Sequence, residues 1–156
     1  MIALARVDDR LVHGQVTAGW VPHLHASRVI VVSDRLAADP LQSAIVSSGA
    51  SGVPVEVLGV AEAARRHAAA AWERETTILL FESLQDARRS LEAGLDFTRL
   101  NLGGLRHDAG RVCLCEGITL DGDDCSVIAD LQRRGVEIDV RLMPCDRGRD
   151  LPELPR

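Results

Sequence analysis

The chain has 156 residues, 46% of them hydrophobic and 26% charged, with a formal net charge of −5; this is the composition of one globular domain, with no apolar run near the roughly 18 residues of a membrane span. The acidic balance, with two Phe, two Trp and no Tyr, argues against a nucleic-acid surface. Lysine is missing, because all 18 basic residues are arginine, and this excludes a Walker-A phosphate loop and a Schiff base.

Short apolar runs alternate with helical patterns along the chain. Ile2 to Val7 reads as a buried strand, and Gly14 to Trp20 as the first turns of an α-helix that Pro22 bends or stops. Further strands are expected at 28–32, 55–58, 77–81, 99–102, 117–120 and 136–142, with helices at 41–49, 61–73, 84–93 and 123–134. Gly94 and Gly135 follow the last two helices as stop signals. Strand then helix, repeated, predicts an α/β layer structure with a mainly parallel sheet, right-handed crossovers and ligand sites beyond the carboxyl ends of the strands. One domain is expected over 1–146. The aperiodic stretch 147–156, with Pro152 and Pro155, reads as a loosely held tail.

The richest chemistry lies between the first strand and the first helix, in Arg6-Val7-Asp8-Asp9-Arg10-Leu11-Val12-His13-Gly14-Gln15-Val16. His13 falls at or beside a helix start, where unpaired backbone N–H groups and the helix dipole favour an anion. Imidazole is partly unprotonated near neutral pH and forms a readily transferred P–N bond, which suits a phosphorylated nucleophile; a general acid–base role and a merely solvated histidine stay open. Arg10 and Arg6 bring charge that is never lost and can bind two phosphate oxygens at once, and Gly14 and Gln15 complete the phosphate-binding candidates. Asp8 and Asp9 either orient these cations or cap the loop and helix; their charge opposes phosphate, so neither is assigned to it.

Other polar residues read as structural. Gly103 and Gly104 suggest a tight turn of positive φ, with room for close backbone approach. Asp34 and Asp146 read as turn or cap residues, His107 as an exposed loop residue, and His23, His25 and His67 as solvated. Cys113, Cys115, Cys125 and Cys145 lack zinc spacing, so no metal site is expected; packing is the expected role, with Cys113 and Cys115 on one face of a strand.

The loop from Arg6 to Val16 resembles the active-site loop of the enzyme IIB components of the mannose/fructose/sorbose class of the bacterial phosphoenolpyruvate-dependent sugar phosphotransferase system. Val29 to Asp34, Leu100 to Leu105 and Gly135 to Asp146 resemble that family's other characteristic stretches in the same order. The resemblance implies a seven-stranded sheet with only the last strand antiparallel, helices on both faces, and the first strand between the fourth and fifth, so that Phe81-Glu82-Ser83 and Gly103-Gly104 border the His13 loop. It also implies that His13, modified on Nδ1, accepts phosphate from a phosphorylated enzyme IIA, with Arg10 holding the phosphate, and passes it to a sugar on a membrane enzyme IIC/IID pair. No metal or nucleotide cofactor is implied, and dimers recur in the family, so a homodimer is one expectation. The short start Met1 to Arg6 lacks a basic leader, and the expected compartment is the cytoplasm. Two alternatives remain: a regulatory phosphorelay without sugar delivery, and a non-catalytic module that grips a phosphorylated ligand.

Overall fold

A computed structural model describes residues 1–106, 112–149, 151, 152 and 154. Its strands are β1 (Ile2–Asp8), β2 (Arg28–Val32), β3 (Val55–Leu58), β4 (Thr77–Phe81), β5 (Arg99–Gly104), β6 (Val112–Cys115), β7 (Ile118–Leu120) and β8 (Glu137–Val140). Its helices are α1 (Val21–Leu24), which continues a π-helical segment Gln15–Trp20, then α2 (Asp34–Ala37), α3 (Pro40–Ser47), α4 (Val60–Ala68), α5 (Leu84–Glu92) and α6 (Gly122–Arg133).

Alternation along the strands sorts the core into two layers. Val7, Ile30, Val32, Leu79 and Phe81 leave one face of the sheet to meet Ala63, Leu84, Ala87, Ile128 and Leu131. Val29, Val31, Ile78 and Leu80 leave the other and meet Val16, Trp20 and Leu36. The inner strands β2 and β4, the end of β1 and most of β5 bury both faces, as parallel strands under crossover helices do. Side-chain oxygens of Ser33, Asp39, Ser83 and Asp121 accept from the first backbone N–H groups of α2, α3, α5 and α6, which sets where those helices begin.

The α/β architecture is the expected one, and β1 lies between β4 and β5. The sheet order is β3-β2-β4-β1-β5-β8, with every neighbouring pair parallel. Two expected details are corrected: among the described residues the sheet has six strands rather than seven, and its last strand is parallel. Residues 118–120 turn back at Gly117 (φ +86°) and pair antiparallel with β6 in a separate hairpin. The hairpin reaches the sheet by a Leu105–Ile118 bridge, and the sheet's far edge gains a single antiparallel bridge, Val140 to Arg149.

Three local expectations also change. Within the expected helix start Gly14 to Trp20, Gln15–Trp20 is π-helical rather than α-helical, with Gly14 as its N-cap and the Val21 N–H reaching back to the Val16 carbonyl. Pro22 has no N–H and its ring crowds the carbonyl four residues back; the wider i→i+5 turns ahead of it accommodate that, and the helix continues to Leu24. In the stretch 147–156, Leu151 and Leu154 pack against the core, so the described part of this tail is held. Of the four cysteines only Cys125 is buried, and a bulge between Cys113 and Cys115 breaks their common facing.

Candidate active site

The site grows out of the end of β1. Strand geometry puts residues two apart on one face, so Arg6 and Asp8 project together, and both side chains are fully buried. A charge there is costly unless paired and fully hydrogen-bonded. Arg6 meets that requirement with all five N–H donors. Its Nε and Nη2 donate to Asp8 Oδ2 at 3.2 and 2.8 Å, Nη1 to Asn101 Oδ1 at 2.6 Å and the Arg141 carbonyl at 3.3 Å, and Nη2 also to Gln15 Oε1 at 3.1 Å. The guanidinium lies 5.7 Å from the centre of the Trp20 ring, within cation–π range. Trp20 is itself tied by its Nε1–H to the Leu142 carbonyl at 3.1 Å.

Arg6 therefore offers a phosphoryl group no uncommitted donor. Expected as a phosphate ligand, it is instead the buried cation that holds Asp8. Gly103 and Gly104 are corrected too. Neither has positive φ and both belong to β5; their missing side chains leave space. A Cβ on Gly103 would lie 1.8 Å from Arg6 Cζ, and one on Gly104 would lie 2.7 Å from Asp8 Oδ1.

Above this buried pair the chain turns through Asp9, Arg10 and Leu11. Leu11 is left-handed (φ +55°), which is unusual for a bulky residue. Its N–H donates to the Asp8 carbonyl and its side chain is buried, so burial offsets the strain and anchors the loop. His13 comes next, immediately before the helix N-cap Gly14, and its carbonyl accepts from the N–H groups of Val16 and Thr17 at 2.9 Å each. Its Nε2 lies 2.8 Å from Asp8 Oδ2, with the imidazole 17% exposed.

Asp8 is thus the hub. It accepts from Arg6 and His13 through Oδ2 and from the Arg10 N–H and Nε through Oδ1, at 3.1 and 3.4 Å. Burial pushes its carboxyl up, but the His13 hydrogen bond, the Arg6 charge and the Arg10 N–H outweigh that and hold it below its ordinary value. Burial also lowers the Arg6 guanidinium, against the pull of Asp8. Arg10 donates through Nη2 to Gln15 Oε1 at 3.0 Å, so one amide oxygen joins the buried arginine to the half-exposed one. A Cβ on Gly14 would meet nothing within 4 Å; the ground beside His13 is open.

Of the residues picked out in the sequence, His13, Arg10, Gln15 and Arg6 meet around one carboxylate, with Gly14 at the rim. Asp8 fulfils both readings left for the acidic pair, orienting the cations and capping the loop at the Arg10 N–H, while Asp9 binds Arg106. Asn101 and Trp20 were missed as partners of Arg6. The signal for Asn101 was a polar residue inside an apolar strand, placed opposite Arg6 in the parallel register. Elsewhere, Asp34 accepts the Val60 N–H at the start of α4, Asp146 accepts the Met143 N–H, Glu82 pairs with Arg35 and His67 stacks near Trp72. His107 lies outside the described residues, as do 150, 153, 155 and 156. Among the described residues no metal-binding group of His, Cys, Asp or Glu converges, and no helix is long and apolar enough to cross a membrane.

Residues 2–155 match the family described as PTS system sorbose subfamily IIB component. The chain belongs to that family. Among relatives of this IIB component, the fructose-specific EIIB component of Bacillus subtilis is 32% identical over 156 residues, covering 99% of this chain and 96% of the relative. The mannose-specific EIIAB component of Escherichia coli is 35% identical over 147 residues, which cover 94% of this chain and 46% of the relative; the chain spans about half the length of that protein. The IIBSor domain of the sorbose permease from Klebsiella pneumoniae has the same fold, with a TM-score of 0.86 and 30% identity over 95% of this chain and 91% of that one. The fold class and the membership of the mannose/fructose/sorbose class expected from the sequence both stand.

Proposed function

We propose that this IIB component is a cytoplasmic phosphocarrier, in which His13 takes a phosphoryl group from a phosphohistidine of enzyme IIA and passes it to a sugar held by a membrane IIC/IID pair. The observation that carries the reading is the 2.8 Å bond between His13 Nε2 and Asp8 Oδ2. A carboxylate accepting at Nε2 keeps the proton there and leaves the Nδ1 lone pair as the nucleophile. Nδ1 has no partner among the described residues.

In the first transfer, Nδ1 bonds to phosphorus as the donor's P–N bond breaks, and the donor imidazole leaves with the electron pair. The His13 ring becomes cationic, and Asp8 faces that charge across the Nε2–H. In the second, a sugar hydroxyl oxygen bonds to phosphorus, the Nδ1–P bond breaks, the ring recovers its electron pair, and the hydroxyl proton is released. Arg10 spends Nε and one Nη2 donor on Asp8 and Gln15, keeping Nη1 for phosphoryl oxygens. Gly14 leaves an incoming group room at the helix start. Phosphoryl transfer asks the protein for position and charge above all, and the buried Arg6–Asp8 pair supplies a rigid base for both.

The test is to incubate the chain with phosphoenolpyruvate, enzyme I, HPr and a cognate enzyme IIA, then map acid-labile phosphate. The wild type carries it on His13, and His13→Ala carries none. Arg10→Ala folds but transfers about 100-fold more slowly, the usual loss for one donor to a developing anion. Phosphate accepted by His13→Ala refutes the reading.

A further inference from the structure

Arg106 follows the last residue by which the β5 segment touches the hairpin. The Leu105 N–H donates to the Gly117 carbonyl, and the Leu105 carbonyl accepts from Thr119, so the backbone entering Arg106 is clamped to the hairpin. On its other side Arg106 is clamped to the His13 loop. Its own N–H, its Nε and its Nη2 all donate to the Asp9 carboxylate, at 3.0, 3.2 and 3.1 Å. The Asp9 N–H returns a bond to the Gly104 carbonyl at 2.9 Å. An exposed ion pair of this kind adds little stability, yet here an arginine 56% exposed is held in one orientation by backbone and side chain together.

What that orientation faces is a cleft of about 320 Å³, lined by Arg10, Gln15, Arg106, Glu116, Gly117 and Leu142. Arg10 and Gln15 are the residues that join the cleft to Asp8 and so to His13. Arg106 has both Nη1 donors uncommitted among the described residues. Two guanidinium groups thus border one cleft, one of them joined to the candidate nucleophile through Asp8, each fixed through Nε and Nη2 and each with Nη1 to spare. The opposing charges are Asp8, committed to Arg6, Arg10 and His13, Asp9, already shared with Arg106, and Glu116.

We infer that Arg106 is a second phosphoryl contact, binding an oxygen of the group on His13 from the cleft it shares with Arg10; this rests on the carrier reading. Asp9 is then a positioning residue, acting only by aiming Arg106. A fixed guanidinium is worth more to a phosphoryl group than a free one, because no orientation is lost on binding.

The experiment is a ³¹P NMR pH titration of the phosphorylated chain, together with the rate of phosphorylation by enzyme IIA, for wild type, Arg106→Gln, Arg106→Lys, Asp9→Asn and the double variant Asp9→Asn/Arg106→Gln. Removing a cation beside the phosphoryl group raises its titration midpoint. Arg106→Gln should raise the midpoint and slow phosphorylation by roughly tenfold or more. Arg106→Lys should recover part of the midpoint, having charge without the fork. Asp9→Asn should slow phosphorylation as Arg106→Gln does, with no further slowing in the double variant, since the two act as one unit, while its midpoint rises less than in Arg106→Gln because loss of the Asp9 charge by itself lowers it. A purely structural pair would alter thermal stability and leave the midpoint alone. The inference is overturned if His13 is phosphorylated in Arg106→Gln with midpoint and rate as in wild type. A wild-type chain that takes no phosphate from a donor proven on another IIB protein overturns the carrier reading and this inference together.

Discussion

Asp8 accepts from Arg6, Arg10 and His13 at once, and no neutral side chain of its size can do the same. In Asp8→Asn the amide oxygen could keep one or two of these donors, and the amide N–H₂ would face the rest. The buried Arg6 charge would lose its counter-charge, a change that costs about 3–5 kcal/mol for a buried pair. The lock on the His13 tautomer would loosen as well. The expected outcome in urea denaturation is a loss of at least about 3 kcal/mol, with phosphorylation of His13 slowed at least about 100-fold where the protein is still folded. Asp8 was hard to read from the sequence because a negative charge beside a phosphate acceptor looks unhelpful. Its role depends on β1 running one residue past the apolar run, which places Asp8 on the same buried face as Arg6.

At the scale of elements, β5 is shaped by what it leaves out. Gly103 sits where a methyl group would occupy the Arg6 guanidinium, 1.8 Å from Cζ. Gly103→Ala must therefore push Arg6 off Asp8 and Asn101. We expect a loss of about 3 kcal/mol or more, the upper part of the overpacking range, measured in urea against Gly14→Ala, whose new methyl group meets nothing and which should fold like wild type. A pair of glycines after an apolar run reads as a turn because turns are the common reason for glycine. The true reason here, an arginine from another strand, lies 97 positions earlier. Strand-and-helix alternation was legible over most of the chain, since it needs only local period; the one-turn helix α2 and the strand β6 are too short to show one. The π-helical segment was not, because its register answers to Pro22 ahead and to Trp20 bonding the Leu142 carbonyl across the molecule. The hairpin was half legible: 117–120 reads as a strand, but only its pairing with β6 keeps it out of the sheet.

Across the whole molecule, carboxylates held below their ordinary values tie stability to pH. Asp8 is buried and held down from 3.8 by His13, Arg6 and Arg10 against its own burial; Glu75 is lowered by Arg28, and the exposed Glu62 is drawn to about 2 by Arg65 and Arg66. A carboxylate depressed by folding stabilises fully above its unfolded value, about 4, and that stability drains away as pH falls from there through the folded value. Unfolding free energy measured from pH 5 down to 2 should therefore drop, and the drop should be shallower in Asp8→Asn, in which the buried group no longer titrates. Equal slopes in the two proteins would remove Asp8 as the main buried contributor. The screened surface carboxylates add less.

Arg6 stands in the first strand, but Asn101 and the Arg141 carbonyl, which complete its hydrogen bonds, arrive 95 and 135 residues later. Loop closure over such distances is slow and comes late in the assembly of a parallel sheet. The histidine loop is thus made well before the groups that aim it. Only when β5 and the segment after β8 close over β1 does the guanidinium find all its acceptors and Asp8 settle beneath His13. Completion of the sheet and alignment of the His13 imidazole therefore arrive together, and an incomplete fold holds no aligned histidine.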